Sequence, residues 1–328
     1  KGYFGQYAVF NSYADCTDTG VICTVYGDFF AVTFRLGGVS MGKIIVITGA
    51  GGGLGSIFAA ELSKDGYEIA ILDFDKDAAE KTAKNICRQG GKAVALLCDV
   101  TDRVSMERAR EELHKSLGIC DILINCAGIQ DPLAKTSAES YEEGDEQIPP
   151  ESRASLSASK KHKRTLFNLE ANRLAKVMNV NWLGTVISCQ IFAADMVGRE
   201  GCSIINITSM AAYDALSTVP AYASSKAAVD MFTKWLSNYL SNTYGKVRVN
   251  AVAPGYFLTA INHDMYVNPD GSYTNRYYNV IHRTPMGRLG NPKELVGALR
   301  FFADPDMSGY ITGQVIAVDG GFLSCPGI

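Results

Sequence analysis

The sequence predicts one doubly wound α/β domain, a seven-stranded parallel sheet with helices on both faces. Two observations lead there. From Lys43 onward, short apolar runs alternate with amphipathic stretches of helical length, the pattern of a parallel sheet covered on both sides. The first apolar run passes directly into a glycine-rich turn, Thr48-Gly49-Ala50-Gly51-Gly52-Gly53-Leu54-Gly55, and a turn of that kind between a strand and a helix is where a dinucleotide-binding unit holds phosphate.

Taken in order, strands are expected at 43–48, 68–73, 93–99, 121–125, 202–208, 247–252 and 315–318. Each is a short Ile-, Val- or Ala-rich run, and several end on a polar residue such as Thr48, Asp73, Asp99 or Asn125. Helices are expected at 54–65, 76–89, 103–117, 171–197, 221–243 and 292–303, where apolar residues recur at helical spacing. Two excursions interrupt the alternation. Residues 130–169 are polar, with Glu142, Glu143, Asp145, Glu146 and Pro149-Pro150, and residues 255–290 follow the sixth strand. Both leave the carboxyl edge of the sheet, where open α/β sheets bind ligands, and are read as substrate walls or a lid.

Residues 1–40 differ in composition from the rest, being rich in Tyr, Phe, Val and Thr with only Lys1 and Arg35 as bases. The apolar run at 21–36 is broken by Gly27, Asp28 and Arg35, so it reads neither as a membrane span nor as a signal peptide. Met41 is read as the natural start, which makes 1–40 an extension outside the fold and 41–328 the domain; a β-rich packing arm is the other reading.

The 328 residues carry a formal charge of −3 without long runs of one sign, which gives no electrostatic footprint for nucleic acid or an anionic membrane. The basic cluster Lys160-Lys161-His162-Lys163-Arg164 reads as a solvated face. Nine cysteines are scattered with no CxxC pair, as expected for reduced, buried thiols in the cytoplasm. The four histidines show no metal-ligand spacing, so no metal is expected.

Glycines at 49, 51, 53 and 55 let the backbone turn and approach a pyrophosphate, while the helix opening at Leu54 supplies N–H donors and positive dipole. Asp73, 18 residues after Gly55, can accept both ribose hydroxyls of the adenosine half and would repel a 2′-phosphate. NAD is therefore expected rather than NADP; the alternative role for Asp73 is capping the next helix, which Asp75 can do instead. Asp99-Val100 and Asn125-Cys126-Ala127-Gly128 close the third and fourth strands, with small residues that permit close approach.

The remaining chemistry lies in Ser209, Tyr222 and Lys226. Tyr222 and Lys226 stand four apart on a helix and share a face, where a lysine cation favours phenolate and brings the tyrosine toward working pH. Ser209 can hold a substrate oxygen beside the phenol. Thr208 and Asn179 are neighbours that could be mistaken for Ser209 and Asn181.

Together these motifs resemble the classical short-chain dehydrogenase/reductase family from about Gly42 onward. TGxxxGxG is Thr48–Gly55, the adenine-side acid is Asp99, and NNAG is 125–128 with Cys126 for the second Asn. The active-site Asn is Asn181, YxxxK is Tyr222/Lys226 with Ser209 thirteen residues earlier, and Pro254-Gly255 followed by Thr259 matches the nicotinamide-holding segment. The resemblance implies a Rossmann fold and a cofactor site that includes Phe74 and Phe257. It also implies that Asn181 anchors a water chain from the lysine, and a homotetramer or dimer joined through the helices that carry Tyr222 and Val177. Further similarity, in 204–212, 218–222, 253–262, 270–274, 284–288 and 318–322, is to the D-mannonate oxidoreductase (fructuronate reductase) branch and its gluconate 5-dehydrogenase relatives. That implies a sugar-acid substrate, for which Met210, Tyr256, Asn262, His263, Arg276 and Arg283 are the candidate contacts and Arg288 a structural residue. The alternatives are gluconate 5-dehydrogenase, another carbonyl reductase such as a 3-oxoacyl carrier-protein reductase, and an inactive nucleotide-binding scaffold.

Overall fold

The computed structural model describes residues 22–27, 30–35, 42–131, 169–216, 218–259 and 262–325. Most of the expected excursion at 130–169, with the basic cluster at 160–164, lies outside the described residues. The chain divides into Lys1–Gly42 and Lys43–Ile328. In the first unit, β1 (Ile22–Gly27) and β2 (Phe30–Arg35) pair antiparallel, with Ile22 opposite Arg35 and Gly27 opposite Phe30.

The second unit holds the seven-stranded parallel sheet. Its strands are β3 (Ile44–Thr48), β4 (Glu68–Asp73), β5 (Ala93–Leu97), β6 (Ile122–Asn125), β7 (Ser203–Ile207), β8 (Arg248–Pro254) and β9 (Val315–Val318). They lie in the order β5-β4-β3-β6-β7-β8-β9, every neighbour parallel. The winding reverses between β3 and β6, so the loops leaving those strands diverge and open a crevice at their carboxyl ends.

Alternation along the strands builds two cores. Ile45 and Ile47, with Ile69, Ile71 and Ile124, face α1 (Gly53–Ser63), α2 (Lys76–Arg88) and α8 (Leu295–Ala303), through Phe58, Ile86 and Phe302. Val46, with Leu72, Leu123 and Ile204, faces α3 (Arg103–Ser116), α5 (Gly184–Met196) and α6 (Pro220–Thr243), through Met106, Phe192 and Leu236. Every side chain of β3 and β8 is buried, including the polar Thr48 of β3 and Arg248 and Asn250 of β8.

Three departures from the sequence-based elements bear on the site. The helix expected at 171–197 is α4 (Ala171–Met178), a π-helical turn (Asn179–Leu183) and then α5. The excursion at 255–290 contains an unanticipated helix, α7 (Asn275–His282), whose N-terminus is capped by the Thr274 hydroxyl. The helix expected at 292–303 opens with a 3₁₀ turn (Pro292–Glu294) set by an Asn291/Glu294 capping box. A short α9 (Pro305–Ser308) leads toward β9. The stretch Ala171–Met196 is long and apolar enough by composition to cross a membrane, but here it is a core layer, with Ile191, Phe192 and Met196 packed into the sheet.

Candidate active site

The glycine loop leaves β3 and enters α1. Gly49 has φ +69°, and a Cβ there would lie 2.7 Å from the Ala127 Cα; only glycine permits the turns after β3 and β6 to approach so closely. Thr48 closes the same gap, its hydroxyl accepting from the Cys126 and Ala127 N–H groups at 3.2 Å each. Helices α2 and α3 are capped by the Asp75 and Asp102 side chains. By contrast, α1 has no side-chain cap and no acidic residue in its first turn, so its N-terminal donors and dipole are available to an anion.

Asp73 ends β4 beside this loop. Its Oδ2 accepts from Gly51 N at 2.8 Å and its Oδ1 from Asp75 N at 3.0 Å, while Asp75 caps α2. A Cβ on Gly51 would stand 2.9 Å from the Asp73 carboxylate. Phe74 beside it is 76% exposed, leaving its ring free for a planar ligand. Asp99 is pinned through Oδ1 by the Thr101 N–H and hydroxyl, and Val100 packs tightly against Gly184.

Asn125 is turned into the sheet. It shares the face of Leu123, and its amide donates to Asn206 Oδ1 at 2.9 Å and Cys189 Sγ at 3.2 Å, so contact with a cofactor is left to its backbone. Gly128 is where the site converges: a Cβ there would lie 3.3 Å from Asn181 Oδ1 and 3.4 Å from Lys226 Nζ.

Asn181 sits inside the π turn, fully buried. Its Oδ1 accepts from Ile129 N at 2.8 Å, and its Nδ2 donates to Ile129 O at 3.1 Å and Ser225 Oγ at 2.9 Å. The residue thus clamps the segment after β6 onto α6. A π turn of this kind re-aims one side chain within an otherwise regular helix.

Ser209 follows β7, buried, with its hydroxyl accepting from Ala211 N at 3.1 Å. Tyr222, in the first turn of α6, is half-buried against Ile129, Leu174, Val177 and Ala221; desolvation pushes its phenol up, and hydrogen bonds from the Ser209 and Gln130 side chains pull it back part of the way. Lys226 Nζ donates to Ile207 O at 2.8 Å and lies 5.7 Å from the Tyr222 ring centroid. Burial pulls the Lys226 ammonium down to about 8. Desolvation acts on both groups and dominates the tyrosine, and its opposing influences are Ser209 and Gln130.

Gly255 crosses the β9 loop so closely that a Cβ would stand 2.6 Å from the Asp319 Cα, and its N–H donates to Val318 O at 2.9 Å. Phe257 packs in the core against Gly290, while the Thr259 N–H donates to Asn262 Oδ1 at 2.7 Å.

The six candidate substrate residues separate. Tyr256, Arg276 and Arg283 line one notch of about 180 Å³ together with Asn279, Val280 and Phe322. Arg283 lies 4.5 Å from the Phe322 ring centroid and 3.2 Å from Asp214, and Arg276 lies 5.9 Å from the Tyr266 ring. Asp214 is five residues beyond Ser209, so the notch is tied to the Ser209 loop. Asn262 holds its own loop, donating to Phe257 O at 2.8 Å as well as accepting from the Thr259 N–H. Met210 is buried at 2% exposure and has little surface to offer. His263 is exposed beside Asp264 and does not line the notch. Arg288 pairs with Glu294 at 2.7 Å, next to the Asn291 capping box. A second cavity, of about 510 Å³, lies between Phe257, Met286 and Gly320 and touches none of Ser209, Tyr222 or Lys226.

Sequence reasoning passed over Gln130, Ser225 and Asp230. Gln130 carried no signal, being simply the first residue of a polar excursion. Asp230 was legible, because it stands four residues after Lys226 and eight after Tyr222 on one helix face.

The fold, the uncapped glycine loop and the Ser-Tyr-Lys group define a nucleotide-dependent oxidoreductase. Residues 43–147 match the short chain dehydrogenase family model, and residues 153–323 match that of enoyl-(acyl carrier protein) reductase. The chain belongs to the short-chain dehydrogenase family. It is 38% identical over 287 residues to the uncharacterised oxidoreductase UxuB of Bacillus subtilis, covering 88% of this chain and 97% of that protein. It is 31% identical over 282 residues to the 5-keto-D-gluconate 5-reductase of Escherichia coli, covering 86% and 96%. Among solved structures it superposes on a provisionally named D-mannonate oxidoreductase from Haemophilus influenzae with bound NAD. The TM-score is 0.78 at 38% identity, with 88% of this chain and 98% of that one covered.

Proposed function

We propose that this oxidoreductase uses NAD(H) to interconvert a sugar-acid ketone and the corresponding alcohol, D-fructuronate and D-mannonate. The observation that carries the substrate class is the notch holding Arg276, Arg283, Tyr256 and Asn279. Two guanidiniums beside a phenol and an amide suit a carboxylate flanked by hydroxyls. The Haemophilus relative supports both substrate and cofactor, and the Asp73 carboxylate at the end of β4 supports NAD over NADP.

When bound, NAD(H) supplies or accepts the hydride. The glycine loop and the N-terminus of α1 would hold its pyrophosphate, Asp73 its adenosine ribose, Phe74, Asp99 and Val100 its adenine side, and the segment of Pro254, Gly255 and Thr259 its nicotinamide end. Ser209 holds the substrate oxygen against the Tyr222 hydroxyl. In reduction Tyr222 donates its proton to that oxygen, and in oxidation it takes the proton back. Lys226 supplies positive charge beside the phenol, and Asn181 fixes the surrounding backbone, where it can anchor water leading to the lysine. The free state of all seven described cysteines supports a reducing, cytoplasmic setting. The exposed Met231, Trp235 and Tyr239 on α6, with Trp182 and Leu183 in the π turn, support a homo-oligomer joined through these helices.

The test is NADH oxidation with D-fructuronate and 5-keto-D-gluconate offered side by side. Turnover of fructuronate that is lost in Tyr222→Phe is the expected result. The identity to the Escherichia coli reductase favours a second reading, in which 5-keto-D-gluconate is the better substrate and the site chemistry stays the same.

A further inference from the structure

Helix α6 carries a third ionisable side chain in line with Tyr222 and Lys226. Asp230 is only 6% exposed, and neither of its carboxylate oxygens has a well-formed hydrogen bond. The Tyr213 and Thr208 hydroxyls lie close enough to act on it, and burial still pushes the carboxyl up. Thr208 directly follows Ile207, whose carbonyl receives the Lys226 ammonium. Lys226 and Asp230 therefore abut the same turn of chain at the end of β7, one helical turn apart.

We propose that Asp230 is a positioning residue, the buried counter-charge that keeps Lys226 an ammonium and thereby holds Tyr222 in its working range. The inference rests on the reading of Tyr222 and Lys226 as the proton-handling pair. The hydrogen-bond acceptor of Lys226 is a neutral carbonyl, which does not offset the cost of burying a cation. A carboxylate one turn away does, because opposite charges in a poorly solvated interior interact strongly. The other ionisable groups around the pair are Cys126, facing Lys226 from the β6 loop, Lys234 on α6 and Tyr213 from the β7 loop. Cys126 is itself held neutral by burial, at about 11, and Tyr213 is pushed up by burial and by Asp230 beside it, so it is neutral as well. Asp230 is thus the one carboxyl group acting on Lys226 among the described residues. A buried carboxylate so poorly hydrogen-bonded is a liability for stability, of the kind that persists where a site depends on it.

The experiment compares wild type, Asp230→Asn and Asp230→Glu by the pH profile of alcohol oxidation, NADH dissociation constant and thermal melting. Removing the charge makes Lys226 easier to neutralise and Tyr222 harder to ionise. Oxidation needs the phenolate, so the acid limb of the Asp230→Asn profile should move up by about one pH unit. NADH affinity should be unchanged, melting at pH 8 unchanged or higher, and the Asp230→Glu limb close to wild type. A limb that stays in place in Asp230→Asn, or moves equally in Asp230→Glu, overturns the proposal. So does failure of Asp230→Asn to fold while Asp230→Glu folds with the limb displaced. If Tyr222→Phe retains full activity, the underlying reading fails instead, and the two failures are told apart.

Discussion

The ammonium of Lys226 reaches across from α6 to the last carbonyl of β7, that of Ile207, at 2.8 Å. One hydrogen bond thus ties the catalytic helix to the strand that delivers Ser209, and it fixes the spacing between the two.

That bond does not offset the burial of the charge. The folded value of Lys226, about 8, lies below its ordinary 10.5, so its contribution to stability is present above about pH 10.5 and is lost as pH falls toward 8. Lys226→Met should therefore melt higher than wild type at pH 7, with the advantage shrinking toward pH 10. The shift corresponds to an upper bound of about 3 kcal/mol, and activity should fall at least 100-fold. A melting difference independent of pH would show that the charge is not the cause.

Two glycines of one loop should behave oppositely. A Cβ on Gly55 overlaps the Gly49 carbonyl, whereas a Cβ on Gly52 meets nothing within 4 Å. Gly55→Ala is expected to lose NADH binding by at least tenfold, and Gly52→Ala to bind within about twofold of wild type. Fluorescence titration of NADH reads both.

Asn181→Ala removes three hydrogen bonds at a fully buried position. The Ile129 backbone groups and Ser225 lose partners, at a cost of about 2–4 kcal/mol. Urea unfolding should show it as a lower midpoint with an unchanged slope. Asn181→Asp should recover part of the loss, since its carboxylate still accepts from Ile129 N.

Arg283 touches the Phe322 ring and Asp214 at once. If the notch binds the substrate carboxylate, Arg283→Ala should raise KM for the sugar acid at least tenfold. KM for a neutral ketone, and NADH affinity, should hardly change. Equal losses for the charged and the neutral substrate would remove the notch from the substrate site.

Cofactor choice should follow Asp73. Its carboxylate is locked in place by Gly51 and Asp75, so Asp73→Ser should cut NADH affinity and narrow its preference over NADPH. Paired titrations measure the ratio, and a ratio equal to wild type would move discrimination elsewhere.

The sequence by itself determined the order of strands and helices, the glycine loop, and the group of Ser209, Tyr222 and Lys226. These are local properties: apolar periodicity, glycine at a turn and four-residue spacing on a helix are all written in adjacent residues. The tertiary structure decided the rest. The π turn that aims Asn181 depends on partners more than fifty positions upstream and more than forty downstream in the chain, Ile129 and Ser225. Helix α7 was hidden because its short pattern competes with loop residues on either side. The division of the substrate candidates also waited for the fold. Asn262 closes a loop while Arg276 and Arg283 share a notch, and only packing brings such distant residues together or uses up their hydrogen bonds. The pKa of Tyr222 is the clearest case. Spacing put a cation near the phenol, but how much water each group loses is a property of the folded interior, where burial raises the phenol and lowers the ammonium.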